Sequence, residues 1–275
     1  MTYLVTGANG QLGLCMKEVL GESAEYAGHS ELDVADENAV KTWFQKREYD
    51  FVINCAAYTA VDKAEDEPER AMLLNADAAG RLAKYGKRII HISTDYVFSG
   101  DAKSPISETE KTEPKSVYGK TKLAGEKMVL ENAETAAVVR TAWLVSEYGN
   151  NFLKTMRRLG GERPELGVVA DQFGTPTYAR DLAAAIKTML PQIKTGTHEI
   201  YHFTNEGETS WYGFAKFIMD ESGLPCKVNP ITTAEYPTKA PRPAYSVLDK
   251  SKIKQTFDIA IRHWKDAVKE CIRRL

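Results

Sequence analysis

Three side chains, distant from one another along a chain of 275 residues, have the types and spacing of a proton-transfer site. Tyr118 and Lys122 stand four positions apart inside 115-KSVYGKTKLAGEKMVLEN-132, an amphipathic pattern. On a helix they share one face, about one turn apart. A free phenol titrates near pH ~10 and is a poor proton carrier at neutrality. A neighbouring ammonium favours the phenolate and is expected to lower the Tyr118 pKa toward the range where acid–base work is efficient. Thr94, at the end of the apolar run 88-RIIHIS-93, supplies a hydroxyl that would hold a carbonyl oxygen beside that phenol. Together the three groups suit reduction of a ketone by hydride. Tyr-x-x-x-Lys alone arises by chance on many helices; what gives it weight here is the start of the chain.

The elements that must position these groups begin with 2-TYLVT-6, 7-GANGQLG-13 and 14-LCMKEVLGE-22, which read as strand, glycine-rich turn and helix. In such a unit Gly7 permits the tight turn, Gly10 lets the backbone approach a diphosphate, Gly13 allows close packing, and the helix N-terminus faces the phosphates. A second strand is expected around 24–28. Its tip, Gly28-His29-Ser30, carries no acid, which leaves room for a 2′-phosphate bonded by His29 or Ser30 and favours NADPH, with NADH possible. Asp33 and Val34 are placed for the adenine edge; Asp33 also reads as an N-cap before 36-DENAVKTWFQKRE-48. The run 51-FVINCAA-57 reads as a strand buried on both faces, ending in small residues over which a cofactor could lie. From 62 to 85 a helical period follows, with Asn75 at a mid-helix position where Asn is a poor helix former; a polar role near the site and a solvated position both fit it.

The segment 99–114, rich in Ser, Pro, Gly and charge, is expected to be a surface loop bordering a pocket. Strands around 137–143 and 199–204 complete an alternation that predicts an α/β fold: a Rossmann-like doubly wound parallel sheet with a smaller C-terminal substrate-binding lobe. Residues 1–149 would form the NAD(P)-binding domain, with 178–204 returning to it, and 150–177 with 205–275 the lobe. Gly7–Gly13, Ala56–Tyr58, Thr94–Tyr96 and Trp143 all fall at the carboxyl ends of strands, where such sheets bind ligands. Trp211 and Trp264 are expected in the core of the lobe. Arg242, between Pro241 and Pro243, is suited to a diphosphate contact or a surface salt bridge.

Composition excludes other classes. The hydrophobic share is 43%, the charged share 27% and the net charge −2, with no basic stripe for nucleic acid. Cys15, Cys55, Cys226 and Cys271 are scattered with no metal-ligand spacing, which suits small hydrophobes in a reducing cytosol. A strand beginning at residue 2 leaves no room for a signal peptide, and no apolar run is long enough for a membrane span. A cytoplasmic protein is expected.

The glycine turn, Ser-Thr-Asp at a strand end and Tyr-x-x-x-Lys together resemble the extended short-chain dehydrogenase/reductase superfamily. The stretches NCAAYTAVDKAE, ISTDYVFSG, GNNFLKTM, VVADQFGTPT and RPAYSVLD, in order along nearly the whole chain, narrow the resemblance to the dTDP-4-dehydrorhamnose reductases. That resemblance implies reduction by NAD(P)H of the 4-keto group of a dTDP-sugar. Tyr118 would give the proton, Lys122 would hold the nicotinamide ribose, and Thr94 would bond the reacting oxygen. The cofactor would rest on Gly10, Gln11, Leu12, Asp33, Val34, Ala56, Ala57 and Tyr58, and the sugar nucleotide on Thr94, Asp95 and Trp143. Some members of that family dimerise through glutamates holding Mg²⁺; the corresponding positions here are Cys15 and Arg180, unsuited to a hard cation. No metal is therefore expected, and a monomer or a dimer built without one. Two alternatives compete. A dehydratase or epimerase shares the superfamily, but a dehydratase needs Thr-Asp-Glu where this chain has Thr94-Asp95-Tyr96. A non-enzymatic NADP-binding regulatory subunit, resembling that of methionine adenosyltransferase, would share the fold without turnover.

Overall fold

In the computed structural model, which describes residues 2–275, six strands form one parallel sheet: β1 (Tyr3–Thr6), β2 (Ala24–Ala27), β3 (Phe51–Asn54), β4 (Arg88–Thr94), β5 (Thr135–Thr141) and β6 (His198–His202). Their order is β2-β1-β3-β4-β5-β6, every neighbouring pair parallel. The order reverses between β1 and β3, so the crevice for a ligand opens there. Side chains alternate across the sheet. Val5, Phe51, Ile53, Ile90, Ala137 and Val139 face one apolar layer, whereas Leu4, Val52, Ile89, Ala136 and Val138 face the other. Burial on both faces is why these strands read as continuous apolar runs.

The helices are α1 (Gln11–Leu20), α2 (Glu37–Gln45), α3 (Val61–Ala64), α4 (Pro68–Met72), α5 (Ala78–Gly86), α6 (Val117–Asn132), α7 (Phe152–Glu162), α8 (Ala179–Met189), α9 (Trp211–Ser222), α10 (Ser251–Phe257) and α11 (Trp264–Arg273). Leu12 and Met16 of α1 and Leu182 and Ile186 of α8 complete the first layer; Val40 of α2, Leu82 of α5 and Val129 of α6 complete the second. A third apolar cluster joins Leu153, Phe214, Ile218, Trp264 and Val268 to the strand pair Glu165–Val169 and Lys227–Ile231. Trp264 is buried there; Trp211 is only partly buried, on the edge of the cluster. Helix α10, although inside the stretch expected in the lobe, seats Ile253 and Phe257 in the first sheet layer.

Two local expectations change. The N-cap of α2 is Asp36, whose carboxylate accepts from the N–H groups of Asn38 and Ala39. Asp33 instead accepts from Ala35 N at 3.0 Å and shapes the turn before it. The helical stretch from 62 to 85 is also not one rod. It breaks between α3 and α4, where Pro68 starts a new helix, and passes through a π-helical turn at Leu73–Asp77. That wide turn carries Asn75 inward, fully buried.

Candidate active site

The glycine turn is built against the tip of β3. Gly7 has φ +63, and a Cβ there would lie 2.6 Å from Ala56 N. At Gly13 a Cβ would lie 2.3 Å from the Gly7 carbonyl oxygen. Gly10 meets protein only at Gly7 O, 3.3 Å away, so its outer side is open to a ligand. No side chain caps α1, and its first turn holds no acid. Its free N–H groups and dipole therefore suit a diphosphate, which is the fit a dinucleotide requires. Leu12 and Val34 bury their side chains in the two sheet layers and can offer a ligand only backbone. The Gln11 side chain is also committed, its Oε1 accepting from Ser146 at 3.0 Å and Asn151 at 2.8 Å. Ala57 is exposed beside partly buried Ala56. Asn75 accepts from Tyr58 N at 2.8 Å and donates to Tyr58 O and Thr121 Oγ1. It ties the Ala56–Tyr58 segment to α6 next to Lys122, a positioning role rather than a solvated one.

The β2 tip differs from its sequence reading. Glu31 folds back so that its carboxylate accepts from Gly28 N at 2.9 Å and from the Ser30 hydroxyl. An acid thus does sit at the end of β2, where it can meet a ribose hydroxyl. The turn hides this from sequence, because Glu31 lies four residues past the strand. His29 is highly exposed, 3.6 Å from Asp33.

Tyr118 meets Thr94 at the carboxyl end of β4, and Lys122, one turn further along α6, reaches the Ile92 carbonyl of the same strand. Helix α6 starts at the Ser116 cap, whose hydroxyl accepts from Gly119 N, and Glu65 accepts from Val117 N at 2.8 Å. Its first turn presses on the Asp95–Val97 turn: a Cβ on Gly119 would lie 2.2 Å from Tyr96 O. That approach brings Tyr118 into hydrogen-bond contact with Thr94. Gly119→Ala is expected to cost about 1–3 kcal/mol by overpacking against backbone and to lower kcat disproportionately, read as a Tm shift and a steady-state rate. Thr94 donates to Asp95 Oδ1 at 2.9 Å and accepts from Tyr96 N. Burial pushes Asp95 up to about 6, opposed by hydrogen bonds from Ser246 and Thr94, and its Oδ2 is buried without a partner.

The electrostatics correct the expectation for the phenol. Burial pushes Tyr118 up to about 12; the Thr94 hydrogen bond pulls it back and the Asp95 charge pushes it further up. Lys122 does not lower it. The buried amine donates to Ile92 O at 2.7 Å and lies 3.4 Å from His91 Nε2. Burial brings Lys122 down to about 8, against the raising effects of Glu126 and Cys55. Glu126 is itself gripped by both arms of Arg140, at 2.8 and 2.7 Å, in a buried pair linking α6 to β5. The thiols of Cys15, Cys55 and Cys271 are all pushed up to about 12 by burial and are inert packing groups.

On the other side of the cleft, Trp143 follows β5 with φ +46, a region costly for a bulky residue. It stacks on Trp211 with ring centroids 3.5 Å apart and planes 10° apart. A side chain on Gly174 would strike the Trp143 ring at 2.6 Å. Arg242 donates to Asp62 Oδ2 at 2.5 Å and to Ala240 O. It is thus held in a salt bridge, and its charge is felt by Tyr96, which packs edge-on against Tyr118 at 5.5 Å. His91, Asn54, Ser246 and the Glu126–Arg140 pair were not read as site residues. The signal available for His91 was a polar residue inside an apolar strand, which must find a buried partner.

Comparison with known proteins decides the family. The model described as the RmlD substrate binding domain matches residues 1–275. The dTDP-4-dehydrorhamnose reductase of Aggregatibacter actinomycetemcomitans is 42% identical over 284 residues, covering 97% of this chain and 96% of its own. This chain belongs to the dTDP-4-dehydrorhamnose reductase family. The crystal structure of the reductase from Clostridium acetobutylicum superposes with a TM-score of 0.94 at 43% identity, covering 100% of this chain and 99% of that one. That from Bacillus anthracis, solved in complex with NADP, gives 0.95 at 36% identity and covers 100% of both chains.

Cys15 and Arg180, the two positions expected to be unsuited to a metal, are both engaged within the chain. Cys15 is buried in the first sheet layer. Arg180 lies between Glu18 of α1 and Glu147, donating to Glu147 at 3.0 Å and pairing with Glu18, and its Nε donates to the Tyr178 hydroxyl. A guanidinium thus joins two carboxylates within one chain.

Proposed function

We propose that the chain reduces the 4-keto group of dTDP-4-dehydro-β-L-rhamnose with NADPH, giving dTDP-L-rhamnose as the last step of dTDP-rhamnose synthesis. The observation that carries the reading is the Tyr118–Thr94 contact at the carboxyl end of β4, with Lys122 one turn along α6 bonded to Ile92 O of the same strand, in a chain of this family whose α1 N-terminus is uncapped. Gly7, Gly10, Gln11, Leu12 and Gly13 would hold the cofactor diphosphate through backbone, Asp33 and Val34 the adenine edge, and Ala56, Ala57 and Tyr58 the segment crossing β3. The nicotinamide supplies the hydride; the protein supplies orientation and the proton. Thr94 bonds the reacting oxygen, Tyr118 gives it a proton, and Lys122 holds the nicotinamide ribose. Asp95 and Trp143 contact the sugar, and Arg242, steadied by Asp62, contacts the substrate diphosphate. The Glu31 carboxylate at the β2 tip is compatible with NADH as a second hydride donor.

Burial of the phenol keeps it in the proton-donating form. A group that must donate a proton has to carry it at neutral pH, and Tyr118 does so throughout that range. A dehydratase would need a carboxylate where Tyr96 packs on Tyr118. The test is oxidation of NADPH and of NADH with dTDP-4-dehydrorhamnose; no oxidation with either cofactor would sink the reading. We also propose that the chain assembles, if at all, without metal, since Arg180 already neutralises Glu18 and Glu147. Its mass in solution is expected to be the same in EDTA and in Mg²⁺, measured by light scattering; a metal-dependent dimer would refute this.

A further inference from the structure

Beneath the site a hydrogen-bond chain runs from β1 to Lys122, and its polarity follows from its fixed donors. The Ala56 backbone N–H can only donate, and it meets Asn54 Oδ1 at 3.1 Å. The Thr6 hydroxyl lies 2.8 Å from the same oxygen. Asn54 Nδ2, a donor, therefore faces His91 Nδ1 at 3.0 Å, so that ring nitrogen must offer a lone pair. A neutral imidazole bare at Nδ1 carries its proton on Nε2. Burial holds the ring neutral, its pKa well below the ordinary value. The Nε2–H then points at Lys122 Nζ, 3.4 Å away. An ammonium has donors only and cannot accept that N–H; a neutral amine can. Thr6, Asn54, His91 and Lys122 are each 2% exposed or less, so water does not relieve the conflict.

We propose that His91 is a positioning residue which, through this fixed tautomer, disfavours the ammonium form of Lys122 in the free protein, so that on the alkaline side of neutrality docking of the nicotinamide cofactor is coupled to uptake of a proton by Lys122. The inference rests on the reading that Lys122 meets the nicotinamide ribose as an ammonium. The groups facing Lys122 are His91 and the Ile92 carbonyl on β4, Cys55 after β3, and Glu126 on its own helix, with Tyr118 one turn before it. Cys55 and Tyr118 hold their protons at neutral pH. Glu126 is occupied by Arg140 and the Ser93 hydroxyl. None of these outweighs burial together with the opposing N–H.

The test needs no sugar substrate. NADPH affinity and proton uptake are measured by calorimetry from pH 6 to 10, in buffers of different ionisation enthalpy. For the wild-type protein, affinity is expected to fall on the alkaline side, with proton uptake per NADPH near zero at pH 6 and rising toward one above about pH 8. His91→Phe removes the opposing N–H. Asn54→Asp, nearly isosteric, gives His91 Nδ1 an acceptor, moves the ring proton there and turns the Nε2 lone pair toward the ammonium. Both are expected to raise the midpoint of the alkaline decline by about one pH unit, a tenfold affinity difference above the wild-type midpoint. Should His91→Phe fail to fold by circular dichroism, Asn54→Asp carries the comparison. Wild-type binding without proton uptake above about pH 8, or folded variants with the wild-type midpoint, would overturn the proposal. Absence of NADPH binding by the wild-type protein would instead count against the reductase reading.

Discussion

Tyr118→Phe is expected to lower kcat about a thousandfold or more while leaving the Kd for NADPH within about threefold. General-acid catalysis contributes roughly 10²–10⁴-fold. Here the substitution removes the one phenol that the Gly119 approach brings against Thr94. The ring itself is retained, so its edge-to-face packing with Tyr96 is preserved and the fold should hold. Steady-state kinetics and fluorescence titration with NADPH separate the two effects. Near-normal turnover by the mutant would remove Tyr118 from its role. An alkaline limb in the wild-type profile well below pH 12 should not report Tyr118, because its proton is lost only near pH 12.

Lys122→Met is expected to abolish turnover and yet make the protein more stable at neutral pH. Lys122 is a buried amine brought down from 10.5 to about 8. Between those values the unfolded chain binds more protons than the folded one, so stability rises with pH across that window. Below pH 8 the full penalty of burying the charge is present, roughly 3 kcal/mol at about 1.4 kcal/mol per pKa unit. Methionine keeps the apolar stem and removes the charge, at the cost of the bond to Ile92 O, about 1 kcal/mol. The net gain is expected to be about 1–2 kcal/mol at pH 7, fading toward pH 10 as the wild-type amine becomes neutral. Urea unfolding at both pH values measures it. A mutant less stable than wild type at pH 7 would show that the buried ammonium is not strained.

These two outcomes depend on different kinds of information. That Tyr118 and Lys122 share a helix face was legible in sequence, because a spacing of four is local geometry. The glycine turn was legible for the same reason: Gly7 needs a positive φ and Gly13 a contact within its own turn. What the lysine does to the phenol was not legible. The expected lowering of Tyr118 assumed that proximity along a helix means electrostatic coupling. In the fold Lys122 turns to Ile92 O and His91, and burial dominates the phenol. Glu31 reads in sequence as lying past the β2 tip, because only the folded backbone turns its carboxylate back to Gly28 N. Asp36 rather than Asp33 capped α2, a difference of one turn that either acid could satisfy in sequence.

By itself the amino-acid order determined the alternation of strands and helices, the glycine turn, and which side chains are proposed as the proton donor and its neighbours. Each of these follows from short-range periodicity or from motif spacing. The tertiary structure decided which protons those groups hold. Depth of burial, the Asn54–His91 polarity and the Glu126–Arg140 pair are contacts between residues 14 to 37 positions apart or more, which no local pattern encodes.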